Sequence, residues 1–250
     1  MSVRHILKTS TITCLVAAVL LFAYARPIAL LLYTKWEVRN ATELWVVPTP
    51  LRVVGTKPSP GKTFSYFGYD FESPWTEVKR ERKLESIAVL NFLDGQFISI
   101  LDPAHSADEL QVMKQEATKR GIELRSVFGE EATRSRYALR SKILNLTPGD
   151  LHLFSPRQEM VGNSVFLIMK KIWLARSKGG LYSFETNWVR GFQVGSPARD
   201  DMVIIEAFDA KDHEIEVWIG SENGTNYRPS QADINRILYS VRPAPTSQAK

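Results

Sequence analysis

The densest group of chemically active side chains in the sequence is the stretch DAKDHEIE, close to the C-terminus. Its candidate metal ligands are Asp209, Asp212, His213 and Glu214. Two ligands on one turn can start a metal site, but zinc needs three or four converging groups held by a second shell of hydrogen bonds. We therefore interpret the stretch as the solvated turn of a hairpin between strands at 202–209 and 214–220, and we predict no metal and no cofactor.

A second stretch, GTKPSPGKT at residues 55–63, imitates a phosphate-binding loop. That motif needs four residues between its glycines, whereas Gly55 and Gly61 enclose five. Pro58 and Pro60 also lack the backbone N–H donors that would cradle a phosphate. The stretch is better interpreted as a stiff linker.

Sequence motifs for catalysis are missing as well. Neither His-Glu-x-x-His nor Gly-x-Ser-x-Gly occurs, and the histidines outside the stretch above, His5, His105 and His152, are scattered. A site assembled from distant residues stays open, because catalytic triads are defined in space rather than in sequence. The sequence names no catalytic residue, which favours a protein that is not an enzyme.

The basic stretch KRERK, residues 79–83, has two interpretations. Lysine and arginine near a membrane anchor can contact anionic lipid headgroups. Charged side chains also protect the edge of a sheet against pairing with another chain. We favour the charged edge, because edge protection needs no partner.

Net charge and cysteine content exclude further classes. The chain of 250 residues carries 32 Lys and Arg against 27 Asp and Glu, and its pI is about 9.3. Residues 1–34 hold three of the basic side chains and no acidic one, so the remainder is nearly balanced. Nucleic-acid binding needs clustered positive charge, and we predict no nucleic-acid partner. Cys14 is the only cysteine, which rules out an intramolecular disulfide.

The N-terminal segment has the features of a membrane anchor. Arg4 and Lys8 precede an apolar run from Thr9 to Ala25, the pattern of a secretory signal that would be cleaved after Ala25. Cleavage would leave an exposed apolar tail, so we favour an uncleaved anchor. Read as one element, residues 10–34 would extend about 37 Å, enough to cross a bilayer of about 30 Å.

Arg26 and Pro27 interrupt that long span. In the alternative arrangement, the run from Thr9 to Ala25 crosses alone, at the short limit for a span. Residues 28–36 then lie along the far interface, with Tyr33 and Trp36 at headgroup level. Either way, we predict a single-pass cell-membrane protein with a cytoplasmic N-terminus and residues 35–250 outside the cytoplasm, in the periplasm of a Gram-negative cell.

Four regions follow from this division. Residues 1–34 are the predicted anchor or signal segment, and residues 35–63 are a predicted extended stalk stiffened by prolines. Residues 64–242 are predicted to form one domain, and residues 243–250 a disordered tail.

Strand signals are clearest at the start of the predicted domain. The aromatic stretch FSYFGYDFESPW, residues 64–75, predicts a strand that ends at Pro74. Further on, ESIAVLNFL and QFISIL flank Asp94 and Gly95, a dipeptide typical of a two-residue hairpin turn because both residues tolerate positive φ. We expect these two stretches to pair.

Helical signals dominate the middle of the chain. Ser106 begins a capping box for an amphipathic helix that ends at Gly121. A second helix is predicted over residues 133–145, and a third from the cap at Ser155 to about Arg176. The predicted core-facing residues of the third helix are Met160, Val161, Phe166, Met169, Ile172 and Trp173.

In the last third of the chain, apolar and polar residues alternate as in β-strands, and a helix follows. Strands are predicted in LYSFETNWVRGFQVG, DMVIIEAFDA and HEIEVWIGS. Ser230 caps the final helix. Its residues predicted to dock on the sheet are Ile234, Ile237, Leu238 and Val241. The element order predicts an α+β fold, with an N-terminal membrane helix followed by one domain of an antiparallel sheet and packed helices.

This element order resembles the PsbP-like α/β/α sandwich. The similar features are an aromatic strand ending in Pro-Trp, a hairpin carrying GQFISI, middle helices, long antiparallel strands and a last helix ending ILYSV, over residues 64–241. The resemblance implies an accessory or assembly role at a membrane complex. It transfers no catalytic residue.

Three functions are compatible with these features. The leading hypothesis is a membrane-anchored extracytoplasmic module, attached through residues 10–34, that binds or supports another envelope component such as a protein. The second is an extracytoplasmic hydrolase with a dispersed site. The third is a secreted binding module released after Ala25.

Overall fold

A mixed sheet of eight strands organises the chain, and helices pack on it to give an α+β fold. The computed structural model describes residues 25–53, 61–104, 114–119, 121, 123, 125–126, 129–175, 177, 180–222 and 228–244. The predicted helix start at Ser106 and the imitation phosphate loop at residues 54–60 lie outside the described residues, as does the tail from residue 245. Among the described residues, no helix is both long and apolar enough to cross a bilayer.

Eleven strands are described. They are β1 Thr49–Leu51, β2 Lys62–Tyr66, β3 Tyr69–Ser73, β4 Val78–Lys83, β5 Ile87–Phe92, β6 Gln96–Leu101, β7 Leu181–Glu185, β8 Val189–Val194, β9 Met202–Asp209, β10 Glu214–Ser221 and β11 Arg242–Pro243. The large sheet has the order β1-β7-β8-β9-β10-β6-β5-β4, and a small sheet has the order β11-β3-β2. All pairs in the large sheet are antiparallel except β1 with β7, which run parallel. The expected purely antiparallel sheet is therefore wrong at this edge.

The helices divide between the two faces of the sheet. They are α1 at residues 25–38, α2 at residues 114–119, α3 Glu130–Arg134, α4 Arg136–Asn145, α5 Arg157–Leu174 and α6 Gln231–Ser240, with 3₁₀ turns at Thr42–Trp45 and Pro148–Asp150. On one face, the β2–β3 hairpin and α6 share a buried apolar cluster with the sheet. On the other face, α1, α4 and α5 do so. Ala207 and Phe208 belong to opposite clusters, as the alternation of side chains along a strand requires.

Several predicted elements are confirmed. β5 and β6 form the hairpin around Asp94 and Gly95, and Gly95 has the positive φ of 86° that the turn needs. Ser230 caps α6 in a capping box with Asp233, and the four residues expected to dock on the sheet are buried. β4, which contains KRERK, is the outermost strand of the large sheet, so the expected position of these charges at a sheet edge is confirmed.

The single aromatic strand expected over residues 64–75 is wrong. The chain turns at Phe67 and Gly68, where φ is 51° and 81°, and forms the β2–β3 hairpin. Phe-Gly lacks the Asn or Asp that signals such a turn, so the glycine alone marked it. Pairing of Phe64 with Phe71 across the hairpin then buries aromatic rings that a lone strand would expose.

The middle helices differ from expectation in detail. Ser135 interrupts the second predicted helix, because its side chain accepts the backbone N–H of Ala138 and so starts α4 afresh. α5 begins at Arg157 rather than at Pro156. Of its expected core residues, Met160 and Phe166 are buried, but Ile172 is largely exposed, so that assignment is wrong.

The extended stalk expected over residues 35–63 is wrong for residues 35–53. This part forms the end of α1, a 3₁₀ turn and β1, so the described fold begins upstream of residue 64. Val38, Ala41 and Leu44 are buried in the apolar cluster on the face of the sheet that carries α1, α4 and α5. The segment therefore has an apolar side, which a solvated spacer would lack. Pro50 is tolerated because β1 is an edge strand, where a missing N–H leaves no ladder partner unpaired.

Lys170 ties this N-terminal segment to the helices. The residue is fully buried on α5, and its Nζ donates to the carbonyls of Leu44 at 3.2 Å, Val46 at 2.8 Å and Leu146 at 2.6 Å. Burial lowers the pKa of Lys170 from 10.5 to about 8, against the opposing effect of the Asp150 carboxylate. An ammonium buried this completely costs solvation free energy, which the three carbonyls offset in part.

Burial of Lys170 predicts that stability depends on pH in the alkaline range. The folded pKa of about 8 lies below the unfolded value of 10.5, so Lys170 holds a proton more often in the unfolded chain between these limits, and its contribution to the free energy of unfolding rises with pH. We expect a rise of at most about 3 kcal/mol between pH 8 and 10. The rise should be absent in Lys170→Met, measured by urea unfolding of the full chain.

Lys171→Met is the matched control. Lys171 is the next residue on α5, is partly exposed and pairs with Glu37 at 3.0 Å. Its variant should keep the alkaline rise. An identical pH dependence in Lys170→Met and in the unsubstituted protein would contradict the assignment.

Candidate ligand-binding groove

One end of the sheet carries an open groove of about 750 Å³. It lies where the β9–β10 turn, the β7–β8 turn and the β2–β3 turn meet, and its principal polar and aromatic lining is Tyr69, Asp102, Arg136, Asn187, Trp188, Asp209, Lys211 and His213. We call this set the groove. A smaller hollow of about 310 Å³ adjoins it and shares Asn187, Trp188, Asp209 and Ala210.

The Asp209 carboxylate organises the groove. Its Oδ1 accepts the backbone N–H groups of Lys211 at 2.8 Å and His213 at 2.9 Å. Its Oδ2 accepts the hydroxyl of Tyr69 at 2.8 Å and lies 3.1 Å from Nδ1 of His213. Four hydrogen bonds thus join one side chain to its own turn and to the β2–β3 hairpin.

These bonds set the ionisation of Asp209 and Tyr69. Burial by itself would raise the pKa of Asp209, but the hydrogen bonds from His213, Tyr69 and Lys211 outweigh it, so the pKa lies below its ordinary value of 3.8. Burial, together with the hydrogen bond to the Asp209 carboxylate, raises the pKa of Tyr69 well above 10. At neutral pH, Asp209 is therefore a carboxylate and Tyr69 a neutral hydroxyl donor.

His213 presents its ring to the groove. Its side chain is 57% exposed, in contrast to the buried carboxylate of Asp209. The contact between Nδ1 and Asp209 favours the tautomer with its proton on Nδ1, which leaves the lone pair on Nε2. The imidazole is thus held in one orientation by the turn that carries it.

Asp212 and Glu214 contact residues of α4 and of the cap that precedes it. Asp212, at a φ of 64°, accepts the hydroxyl of Ser135 at 3.0 Å and the backbone N–H groups of Arg136 and Tyr137, so it caps the N-terminus of α4. The structure therefore separates the four sequence candidates into two pairs. Among the residues it describes, no group of three or more His, Cys, Asp or Glu side chains converges as a metal site would require.

Glu214 belongs to a buried network of charges under α4. Arg140 pairs with Glu206 at 3.0 Å and with Glu214 at 3.4 Å, and Arg136 lies 3.6 Å from Glu214. The guanidinium of Arg140 also stacks on the ring of Trp173, with 3.8 Å to the centroid. This network fixes α4 on β9 and β10, and with it the position of Arg136 in the groove.

Trp188 stands at the tip of the β7–β8 hairpin. Its side chain is 55% exposed, although tryptophan usually buries most of its surface. The Thr186 hydroxyl holds the tip by accepting the N–H groups of Trp188 at 3.3 Å and Val189 at 3.1 Å and by donating to the carbonyl of Val189 at 3.0 Å. Trp188 therefore stands on a hydrogen-bonded turn, and it lines both the groove and the adjoining hollow.

Sequence reasoning singled out Asp209 and His213 but missed Tyr69 and Trp188. Tyr69 is 140 positions from Asp209, and no local pattern links the two. For Trp188 a signal did exist, since Thr-Asn-Trp between two β-prone stretches marks a turn, and a tryptophan at a turn is unusual.

Comparisons with protein families, with curated proteins and with solved structures found no match to this chain.

A second hollow, of about 640 Å³, lies at the opposite end of the strands. Its lining includes Thr42, Gly180, Leu181 and Arg199. Among the described residues that line it there is neither an exposed aromatic ring nor a hydrogen-bonded group of ionisable side chains comparable to the groove.

The role of Asp209 predicts a stability defect with a defined pH dependence. Asp209→Asn removes the charge that four hydrogen bonds stabilise, so we expect it to lower the free energy of unfolding by about 2–3 kcal/mol at neutral pH. Because the pKa of Asp209 is lowered on folding, its contribution is present above the unfolded pKa and is lost as the pH falls through the folded pKa. The difference between the two proteins should shrink in acid, as denaturant unfolding can measure.

Asp201→Asn serves as the control. Asp201 is exposed and pairs with Arg228 on the surface, so its replacement should cost less than about 0.5 kcal/mol at any pH. A difference for Asp209→Asn that is small, or that stays constant into acid, would refute the role given to this carboxylate.

Proposed function

We propose that the chain is a membrane-anchored extracytoplasmic binding module, and that its ligand, an envelope component, occupies the groove. The observation that carries the proposal is the exposed ring of Trp188 beside polar groups already oriented by Asp209. Ligand sites are concave, contain apolar or aromatic surface and have a few polar groups fixed in place before binding. The groove has all three properties.

The same geometry supports binding more than acid–base catalysis. General acids and bases have pKa values near the working pH. The pKa of Asp209 is lowered and that of Tyr69 is raised, so both move away from neutrality. Tyr69 and Asp209 are hydrogen-bonded to each other, and Asp209 is also hydrogen-bonded to the backbone of its own turn. They act as a rigid support for a surface.

The exposed face of α1 supports attachment to a membrane. Leu32, Tyr33 and Trp36 are exposed there, whereas Leu31 and Thr34 on the opposite face are buried against the body. Apolar and aromatic side chains suit the headgroup region of a bilayer. We therefore propose the shorter membrane span, residues 9–25, with α1 lying along the interface. The PsbP-like resemblance, which implies an accessory role, stays a proposal of the same kind.

A hydrolase is the second candidate, and the Asp209–His213 contact is the observation that favours it. A histidine oriented by a carboxylate can act as a general base through its other nitrogen and activate a water molecule. This function requires chemical breakdown of the molecule in the groove. His213→Asn would then abolish the breakdown while leaving binding in place.

The proposed topology predicts selective labelling from outside the cell. Because Cys14 is the only cysteine, Cys14→Ser gives a background in which Leu93→Cys, at the exposed β5–β6 turn, is the single thiol. We expect a membrane-impermeant maleimide to label this thiol in intact spheroplasts. The chain should also stay in the membrane fraction and keep the segment that precedes Arg26.

The unsubstituted chain is the control, because Cys14 lies within the proposed span and should escape the reagent. Labelling of Leu93→Cys only after lysis would contradict the topology. A soluble chain that begins at Arg26 would instead support the secreted binding module.

Binding in the groove predicts a position-specific crosslink. A photoreactive benzophenone amino acid in place of Trp188 should form a covalent adduct with the ligand in living cells, because benzophenone inserts into nearby C–H bonds. The adduct would be measured as a shift in mass or mobility of the purified chain.

Tyr239 is the matched position, because it is an exposed aromatic residue on α6 outside the groove. The same amino acid at Tyr239 should give no adduct. Equal adducts at both positions, or none at Trp188, would argue against a ligand in the groove.

A further inference from the structure

Resting on the proposed function, we infer that the ligand of the groove is an electrically neutral, polyhydroxylated chain, that is, a saccharide. Three independent properties of the lining lead to this chemical class: the balance of its charges, the position of Trp188 and the kinds of hydrogen-bonding group beside it. Each of these selects against a different class of ligand.

Charge is balanced among the groove residues that the structure describes. Asp209 is satisfied by Tyr69 and His213, and Arg136 lies against Glu214. The other charged side chains of this described lining are Asp102 and Lys211, one of each sign, and the adjoining hollow adds Glu185 and Arg190, again one of each sign. Neither a polyanion nor a polycation would find an excess of opposite charge here, so electrostatics selects a neutral ligand.

Trp188 lies where a ligand longer than one unit would cross. Asn187, Trp188, Asp209 and Ala210 line both the groove and the adjoining hollow, so a chain that occupies both contacts the hairpin tip that carries Trp188. The face of an indole ring is apolar and carries partial negative charge, and it attracts the weakly positive C–H groups on the flat face of a sugar ring. An exposed tryptophan between two hollows thus suits an elongated ligand made of repeating rings.

The polar lining mixes donors with acceptors. Asn187 offers an amide that does both, Lys211 donates, and Asp102 accepts through the oxygen not engaged by the Ala104 N–H. Nε2 of His213 accepts in the tautomer that Asp209 favours. Hydroxyl groups donate and accept equally well, so a ligand dense in hydroxyls can satisfy all of these groups.

An extended peptide fits less well. Peptides gain affinity by adding a strand to an exposed sheet edge. The edges of the large sheet, β1 and β4, do not line the groove. The small sheet has an edge there, because Pro243 of β11 lines the groove. This edge strand has only two residues and proline has no N–H, so it offers an added peptide strand little backbone to pair with.

Binding of the full chain, in detergent micelles, to an array of neutral and charged oligosaccharides tests the inference. We expect the bound members to be neutral, and titration calorimetry with a neutral hit such as chitohexaose or cellohexaose should show tighter binding of longer chains. Trp188→Ala should weaken the binding about tenfold or more, as loss of a central aromatic contact does. Trp188→Phe, which keeps a flat ring, should retain part of the affinity.

Trp45→Ala is the matched control, because Trp45 is 59% exposed but lies outside the groove. It should leave saccharide affinity unchanged. Trp188 is exposed, so circular dichroism and thermal unfolding should show Trp188→Ala folded as well as the unsubstituted chain.

Three outcomes would overturn the inference: binding of charged oligosaccharides alone, binding of no oligosaccharide on the array, or equal loss of affinity in Trp188→Ala and Trp45→Ala. These outcomes are distinct from failure of the proposed function. If the photoreactive residue at position 188 still captures a ligand while the array is negative, the groove binds a molecule of another class.

Discussion

One turn, from Asp209 to His213, contacts the elements that pack on both faces of the large sheet. The turn joins β9 to β10 at the centre of the large sheet. The Asp209 carboxylate of this turn accepts a hydrogen bond from Tyr69, in the hairpin that covers one face of the sheet. Through Asp212 the turn caps α4, which packs on the other face. Because a carboxylate tolerates burial only with its lone pairs satisfied, these contacts fix the hairpin, the sheet and the helix relative to one another.

The candidate site lies at this same turn. Residues that meet at the turn must be held rigidly, and the groove is bounded by the same residues. Rigidity prepared before binding lowers the entropy that association costs. Trp188, whose turn is held separately by Thr186, then adds a large exposed aromatic surface.

Local signals in the sequence predicted the local structure well. Asp94-Gly95 marked a hairpin, Ser230 a helix start and KRERK an edge strand, because each depends on a few adjacent residues. Two failures are local, the turn at Phe67 and Gly68 and the helix start at Ser135. The larger failures are long-range. β1 pairs with a strand more than a hundred residues later, and burial of its flanking segment depends on Lys170, which no nearby pattern indicates. The site followed the same rule: Asp209 and His213 are neighbours in sequence, whereas Tyr69 reaches them only through the fold.

The parallel pairing of β1 with β7 has a mechanical consequence. Thr42, just before β1, lies beside Leu181 at one end of the strands, whereas Asp209 and Trp188 lie at the other end. Tension between the N-terminal segment and a molecule held in the groove would act along the strands. Hydrogen bonds between strands lie across that direction, so they would be loaded together in shear rather than opened one after another.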